Sequence, residues 1–219
     1  MIPAVTMLTV TEIFHSIQGE SSFAGTACAF VRLAGCDLRC AWCDTPYAFT
    51  GGRKMSVADV VAAIEATGCP LVELTGGEPL LQADVYPLME ALLASGRTVL
   101  LETGGHLSLA QVPAGVVKIV DVKCPASGES ARTHWPNLER LGPRDEVKFV
   151  IQDRADYDFA REVVRRHRLD ARSGEVLFSP VHGVLAPREL AAWILADRTP
   201  ARLQLQVHKY IWDATTRGV

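Results

Sequence analysis

The sequence predicts an α/β fold in which mostly parallel strands wind into a partial (β/α) TIM-like barrel. Short apolar runs rich in β-branched residues alternate with segments of helical periodicity, the one-dimensional signature of βα units. Most of the runs lack polar alternation, as strands covered on both faces do. Seven such strands with their crossovers fit into 219 residues, whereas a closed eightfold barrel typically takes ~250. With 48% apolar residues and no linker, repeat or low-complexity segment, the chain is expected to form one domain over residues 1–219.

In chain order, the expected strands are CAFVRLA (28–34), LVELT (71–75), TVLLET (98–103), VVKIVDV (116–122), EVKFVI (146–151), EVLFS (175–179) and RLQLQV (202–207). Between the first two, Ser56 is an N-cap with Asp59 three residues on, and Val57, Val60, Val61 and Ile64 make a helical stripe that Gly68 closes. Val85, Leu88, Met89 and Leu92 form the next stripe, ending at Gly96. Ala160, Val163 and Val164 face the core from a helix whose last turn, Arg165 to Arg168, carries the positive charge that suits a helix C-terminus. A final helix carries Leu190, Trp193 and Ile194.

Composition excludes several classes of function. The net charge is only -3 and no basic stripe occurs, so no nucleic-acid partner is expected. No run of ~20 apolar residues offers a membrane span, and MIPAVTMLTVTEIF has neither a basic start nor a cleavage-like site. A cytoplasmic protein with reduced thiols is therefore expected, and Cys28 and Cys69 read as small buried hydrophobes.

The other cysteines are patterned. Two residues past the first strand, Cys36, Cys40 and Cys43 are spaced C-x3-C-x2-C. Three close thiolates favour a soft metal or an iron–sulfur centre, and a catalytic centre keeps a coordination position open. A structural zinc knuckle completed by Cys28, His15 or Cys124 is the competing reading. Against it, nearly every strand hands over to a polar or Gly/Pro cluster: TGGEP (75–79), ETGG (102–105), DVKCP (121–125), SPVHG (179–183) and HKYIW (208–212). Singly these are turn residues; together they dress one rim of a barrel, where such folds keep their chemistry.

C-x3-C-x2-C after the first strand with G-G-E-P after the second resembles the radical S-adenosylmethionine superfamily. The resemblance implies a partial barrel of that type, with Cys36, Cys40 and Cys43 holding a [4Fe-4S] cluster whose fourth iron is left for S-adenosylmethionine. It also implies that Trp42, Cys43, Asp44, Gly77 and Glu78 lie against that cofactor, as do Asp121, Val122 and Lys123 and the stretch Ser179, Pro180, Val181 and His182.

Within the superfamily, EIFHSIQGES (12–21), the C-D-T element at 43–45, ELTGGEPLLQ, DVKCP, FSPVHG and HKYIW are similar to the 7-carboxy-7-deazaguanine synthases, over residues ~12 to 213. The reaction so implied is a ring contraction of 6-carboxy-5,6,7,8-tetrahydropterin with loss of ammonia, on the route to queuosine and other deazapurines. It is started by reductive cleavage of S-adenosylmethionine to a 5′-deoxyadenosyl radical. Ile17, Gln18, Gly19, Glu20, Arg32, Thr75 and His208 would contact the substrate, and Thr45 would ligate Mg2+. For Arg32 there is a second, independent signal, since a charge in an apolar strand four residues before Cys36 can offer a planar fork to a carboxylate. The resemblance further implies a homodimer and an electron donor of the flavodoxin type, for which Arg39, Arg53 and Lys54 lie around the cysteine loop. Cys124 is assigned no role. Some members carry a long insertion between the first two cysteines, so the compact spacing keeps open a small glycyl-radical activating enzyme, which acts on a protein. A non-catalytic iron–sulfur or zinc binding module is the third reading.

Overall fold

A computed structural model describes residues 7–219; residues 1–6 of the expected domain, and of the N-terminal stretch judged free of a signal, lie outside them. The seven expected strands form within a residue or two of their expected bounds, except the last. They are β2 (Ala27–Leu33), β4 (Leu71–Gly76), β5 (Thr98–Thr103), β6 (Val117–Asp121), β7 (Glu146–Ile151), β8 (Glu175–Pro180) and β9 (Arg202–Leu203). Two more strands precede and interrupt them, β1 (Met7–Ile17) and β3 (Arg53–Ser56). The sheet runs β3-β1-β2-β4-β5-β6-β7-β8-β9. It is parallel from β2 to β9, while β1 joins antiparallel to both β2 and β3.

The unexpected strands have weak patterns for a physical reason. In β1, Leu8 and Val10 face the core, but a register shift between Val10 and Glu12 interrupts the alternation, and Thr9, Thr11, Glu12, His15 and Ser16 dilute the apolar signal. β3 is four residues of edge strand with two exposed cations, Arg53 and Lys54, which discourage further pairing. The run expected at 202–207 pairs only at Arg202 and Leu203; beyond them Gln204 and Gln206 turn their side chains onto Glu20.

The helices are α1 (Val57–Glu65), α2 (Val85–Ala94), α3 (Arg154–His167), α4 (Leu169–Arg172), α5 (Pro187–Asp197) and α6 (His208–Ile211). The capping box opening α1 forms as expected: the Asp59 N–H donates to Ser56 Oγ at 3.1 Å, and the Ser56 N–H donates to the Asp59 carboxylate at 3.3 Å. Arg165, Arg166 and His167 occupy the last turn of α3.

Alternation decides what each face of the sheet does. Val31, Leu33, Val72, Leu74, Val147 and Phe149 belong to the apolar core. The opposite face presents Phe14, Phe30, Arg32, Glu73, Thr75, Glu102, Asp121, Lys148 and Val150 to one cavity of about 330 Å3. Side chains from β1, β2 and β4 to β7 wall a single space only if the sheet curls around it, which gives the open, partial barrel. No helix among the described residues is long and apolar enough to cross a membrane.

Candidate active site

The cavity opens at the carboxyl ends of the parallel strands, and its rim is the cysteine loop. Cys36, Cys40 and Cys43 all line it. The loop is pinned along its length. The Gly35 N–H donates to Ala48 O at 2.8 Å, Ala41 N–H to Ser127 O at 3.1 Å, and Cys43 N–H to Cys40 O at 3.2 Å. The Arg39 guanidinium donates to Cys36 O at 2.8 Å and stacks over Phe49, 4.3 Å from the ring centroid. Asp37 is held by His106 Nε2 at 2.7 Å and by the Arg132 fork.

These thiols are half-buried, and burial pushes Cys36 and Cys40 above the ordinary thiol range. A bound metal centre would have to overcome that by stabilising the thiolates. Cys28, Cys69 and Cys124 are buried in the core and absent from the cavity wall, as the sequence leads one to expect for the first two. No fourth thiol closes the set. Among the described residues no three His, Cys, Asp or Glu side chains form a single-ion site. An iron–sulfur cluster takes each thiolate on a different iron, so three thiols lining one open cavity fit a cluster with a free corner.

The glycine loop after β4 packs directly on the cysteine loop. A Cβ on Gly77 would stand 2.8 Å from Cys36 Cβ and collide with Gly35 O, and one on Gly76, at φ 141°, would stand 2.9 Å from the Leu33 carbonyl carbon. The pair thus serves a backbone-to-backbone approach, with Glu78 N–H donating to Gly35 O at 2.7 Å. Glu78 lines the cavity, but its carboxylate is only 1% exposed and accepts from Leu80 N–H, Thr103 Oγ1 and Gly104 N–H at 2.8–3.0 Å. It ties three handover loops together.

Of the residues expected to contact the substrate, Ile17, Gln18, Gly19, Glu20, Arg32, Thr75 and His208 all reach the cavity. Arg32 donates through Nε to Glu12 at 2.7 Å, and the Tyr47 hydroxyl donates to the same oxygen at 2.9 Å. Gly19 is required by His208, whose ring would sit 2.8 Å from an added Cβ at its Cγ. Burial lowers the proton affinity of His208, which leaves it neutral near pH 7. Glu20 lines the cavity with its carboxylate accepting from Lys148 at 2.8 Å, Gln206 at 2.9 Å and Gln204 at 3.2 Å. Burial is the largest influence and raises its pKa, but the Lys148 charge together with the hydrogen bonds from Gln206 and Lys148 brings it down to about 2.

Of the residues expected against the cofactor or Mg2+, Trp42, Asp44, Thr45, Gly77, Asp121, Lys123, Val181 and His182 line the same cavity. Burial opposes ionisation of Asp44, yet Lys209, 2.9 Å away, keeps its pKa below the usual carboxylate range. Asp121 accepts from Lys123 at 2.7 Å through one oxygen, while the other is buried and has no partner among the described residues, an acceptor waiting for a donor. The Thr45 hydroxyl makes no capping bond to the short turn that follows it, and stands 3.9 Å from Cys43 Sγ. Val122, Ser179 and Pro180 are not brought into the wall. They are buried, Val122 donating to Lys148 O and the other two lying within β8.

Lys148, Glu102 and Glu73 also line the cavity and were not among the expected contacts. Lys148 is 4% exposed and paired with Glu20 and Glu102. Its signal is the one that marks Arg32, a charge within the apolar strand EVKFVI, and LVELT carries Glu73 in the same way. The C-terminal residues Ala214 to Val219 close one side of the cavity.

Comparison with known proteins is consistent with this geometry. Residues 31–119 match the family model of the radical SAM superfamily. The chain is 52% identical to the 7-carboxy-7-deazaguanine synthase of Koribacter versatilis, over 97% of this chain and 100% of that one. It is 46% identical to the enzyme of the same name from Chlorobaculum tepidum, over 97% of each chain. The crystal structure of QueE from Escherichia coli has the same fold, with a TM-score of 0.77 over 92% of this chain and 95% of that one, at 24% identity.

Proposed function

The chain belongs to the 7-carboxy-7-deazaguanine synthases of the radical SAM superfamily, and on that premise we propose how its own residues carry the reaction. It is a carbon–nitrogen lyase that contracts 6-carboxy-5,6,7,8-tetrahydropterin to 7-carboxy-7-deazaguanine with loss of ammonia, in the queuosine pathway. When bound, the [4Fe-4S] cluster and S-adenosylmethionine supply the one-electron chemistry that starts the contraction. The observation that carries the reading is the convergence of three unclosed thiols, the glycine loop and an arginine on one cavity.

Cys36, Cys40 and Cys43 hold the cluster. Trp42, Asp44, Gly77, Asp121, Lys123, Val181 and His182 form the wall against S-adenosylmethionine, with the unpartnered oxygen of Asp121 accepting from it. Glu78, Val122, Ser179 and Pro180 act there by setting the backbone of that wall. The Arg32 guanidinium, with Nε taken by Glu12, turns its two terminal nitrogens to the substrate carboxylate. Ile17, Gln18, Gly19, Thr75 and His208 border the ring, and Glu20 braces that border through Lys148. Thr45, whose hydroxyl makes no capping bond, would offer a bound Mg2+ one neutral oxygen, which suits an ion that keeps most of its waters. Exclusion of water and fixed orientation are the protein's main contributions.

The enzyme works as a single domain, a homodimer in the cytoplasm. An acidic flavodoxin-type donor docks beside the cluster loop, where Arg39, Arg53 and Lys54 are exposed. The test is anaerobic: cluster reconstitution, then reductant, Mg2+, S-adenosylmethionine and 6-carboxytetrahydropterin, with products followed by mass spectrometry. Formation of 7-carboxy-7-deazaguanine is expected from the wild type and none from Cys40→Ala, whose iron content should fall while the chain stays folded. 5′-Deoxyadenosine without that product would mean a different substrate, and full iron in Cys40→Ala would overturn the ligand assignment.

A further inference from the structure

The floor of the cavity holds a carboxyl that the roles above leave unused. Glu73 lies in the middle of β4, 3% exposed, on the face that walls the cavity. One of its oxygens accepts from the Gln18 amide, and the Gln18 carbonyl oxygen in turn accepts from the Glu20 N–H at 3.0 Å. The other oxygen has no hydrogen bond among the described residues. Its neighbours in the strand are apolar, so an acid here adds nothing to the packing that a leucine would not supply.

We propose that Glu73 is a specificity-determining contact for the fused ring of the substrate, offering it a hydrogen bond from the cavity floor while Gln18 fixes the other oxygen. The inference rests on the reading that this cavity takes a tetrahydropterin. The groups facing Glu73 are Gln18 and Glu20 beyond β1, Cys28 on β2, Glu102 on β5 and Lys148 on β7. Burial above all, then the carboxylates of Glu102 and Glu20, raise its proton affinity well above the ordinary range, against the opposing charge of Lys148 and the hydrogen bond from Gln18. When it carries its proton, which that environment favours, Glu73 acts as a donor through the oxygen that Gln18 leaves free. The carbonyl oxygen and unprotonated ring nitrogen of a reduced pterin are acceptors for it. A ligand lacking an acceptor at that edge would leave the carboxyl unpaired in a closed site, which is how a buried polar group discriminates.

The experiment is anaerobic titration calorimetry of 6-carboxytetrahydropterin into reconstituted enzyme with S-adenosylmethionine and no reductant, so that binding is read without turnover. Glu73→Gln keeps a neutral N–H donor and should bind within roughly threefold of wild type, whereas Glu73→Leu should bind about tenfold or more weakly. Iron per chain and S-adenosylmethionine affinity should be unchanged in both. Wild-type affinity should fall as pH rises through the ionisation of Glu73, and Glu73→Gln should lose that component. A Leu variant that binds the pterin like wild type, or that loses iron or S-adenosylmethionine affinity in equal measure, would overturn the inference alone. So would a Gln variant with the wild-type pH dependence, which decides the matter even if the Leu variant does not fold. Failure of the wild type to bind the pterin at all would overturn the substrate reading and this inference together.

Discussion

At the scale of single residues the site is made from charges that already have partners, and what matters is which donors and acceptors those partners leave free. Arg32 is held at Nε by Glu12 and flanked by the rings of Phe14 and Tyr47, 5.8 and 5.9 Å from its guanidinium carbon. Glu12 does not line the cavity, so the neutralising charge sits behind the arginine and the planar fork faces the space in front. Arg32→Ala should therefore raise KM for the pterin by about 10- to 100-fold, the loss of a charge-assisted hydrogen bond, and leave S-adenosylmethionine affinity nearly unchanged. Steady-state kinetics with each ligand varied in turn separates the two. An equal loss for both would show that Arg32 supports the wall and does not bind. Arg32→Lys should recover little, because an ammonium cannot reproduce the fork.

At the scale of elements the functional unit is a pair of loops, the cysteine loop after β2 and the glycine loop after β4, joined because their strands are parallel neighbours with Leu33 opposite Gly76. That register brings Gly77 against Gly35 and Cys36. Gly77→Ala should displace the cysteine loop, at a cost of about 1–3 kcal/mol for overpacking against backbone, and should lower both the melting temperature and iron retained after reconstitution. A variant that melts earlier but keeps full iron would show that the two loops are not mechanically coupled. The pairing was readable in part from the sequence. Spacing and order exposed the C-x3-C-x2-C and G-G-E-P elements and the seven parallel strands, since each carries a local signal. β1 and β3 were not readable: the first has its alternation broken by a register shift, and the second is too short and too charged. The role of Glu78 was hidden for another reason. A carboxylate beside a glycine pair reads as a ligand contact, and only the fold brings Thr103 and Gly104 onto it. Lys148 and Glu73 had the same mark as Arg32, and Glu73 even opens the ELTGGEPLLQ element, but only the curl of the sheet turns both side chains onto the cavity.

At the scale of the whole molecule, the curled sheet buries a group of charges that two open sheets would have left in water, and its stability depends on their balance. Lys148, on β7, is shared by Glu20 from beyond β1 and Glu102 from β5, so one ammonium joins opposite walls of the partial barrel. The acids respond to pH in opposite senses. Glu20 is depressed to about 2, so its contribution is present above the ordinary carboxylate pKa of about 4.3 and is lost as pH falls towards the folded value. Glu73 is raised, so its folded form is favoured below that ordinary pKa and loses ground as pH rises beyond it. Lys148→Met removes the shared cation and leaves Glu20 and Glu102 facing each other without compensation. The expected cost at pH 7 is about 3–5 kcal/mol, that of breaking a buried pair from one side. It should shrink as pH falls below about 4, where protonation neutralises the stranded acids. Adding Glu20→Gln to Lys148→Met should recover part of the loss at neutral pH and little at acid pH. Anaerobic thermal unfolding across that range measures all three. A cost independent of pH, unaffected by Glu20→Gln, would mean that the Lys148 stem matters through packing and that the charge across the barrel does not hold its walls together.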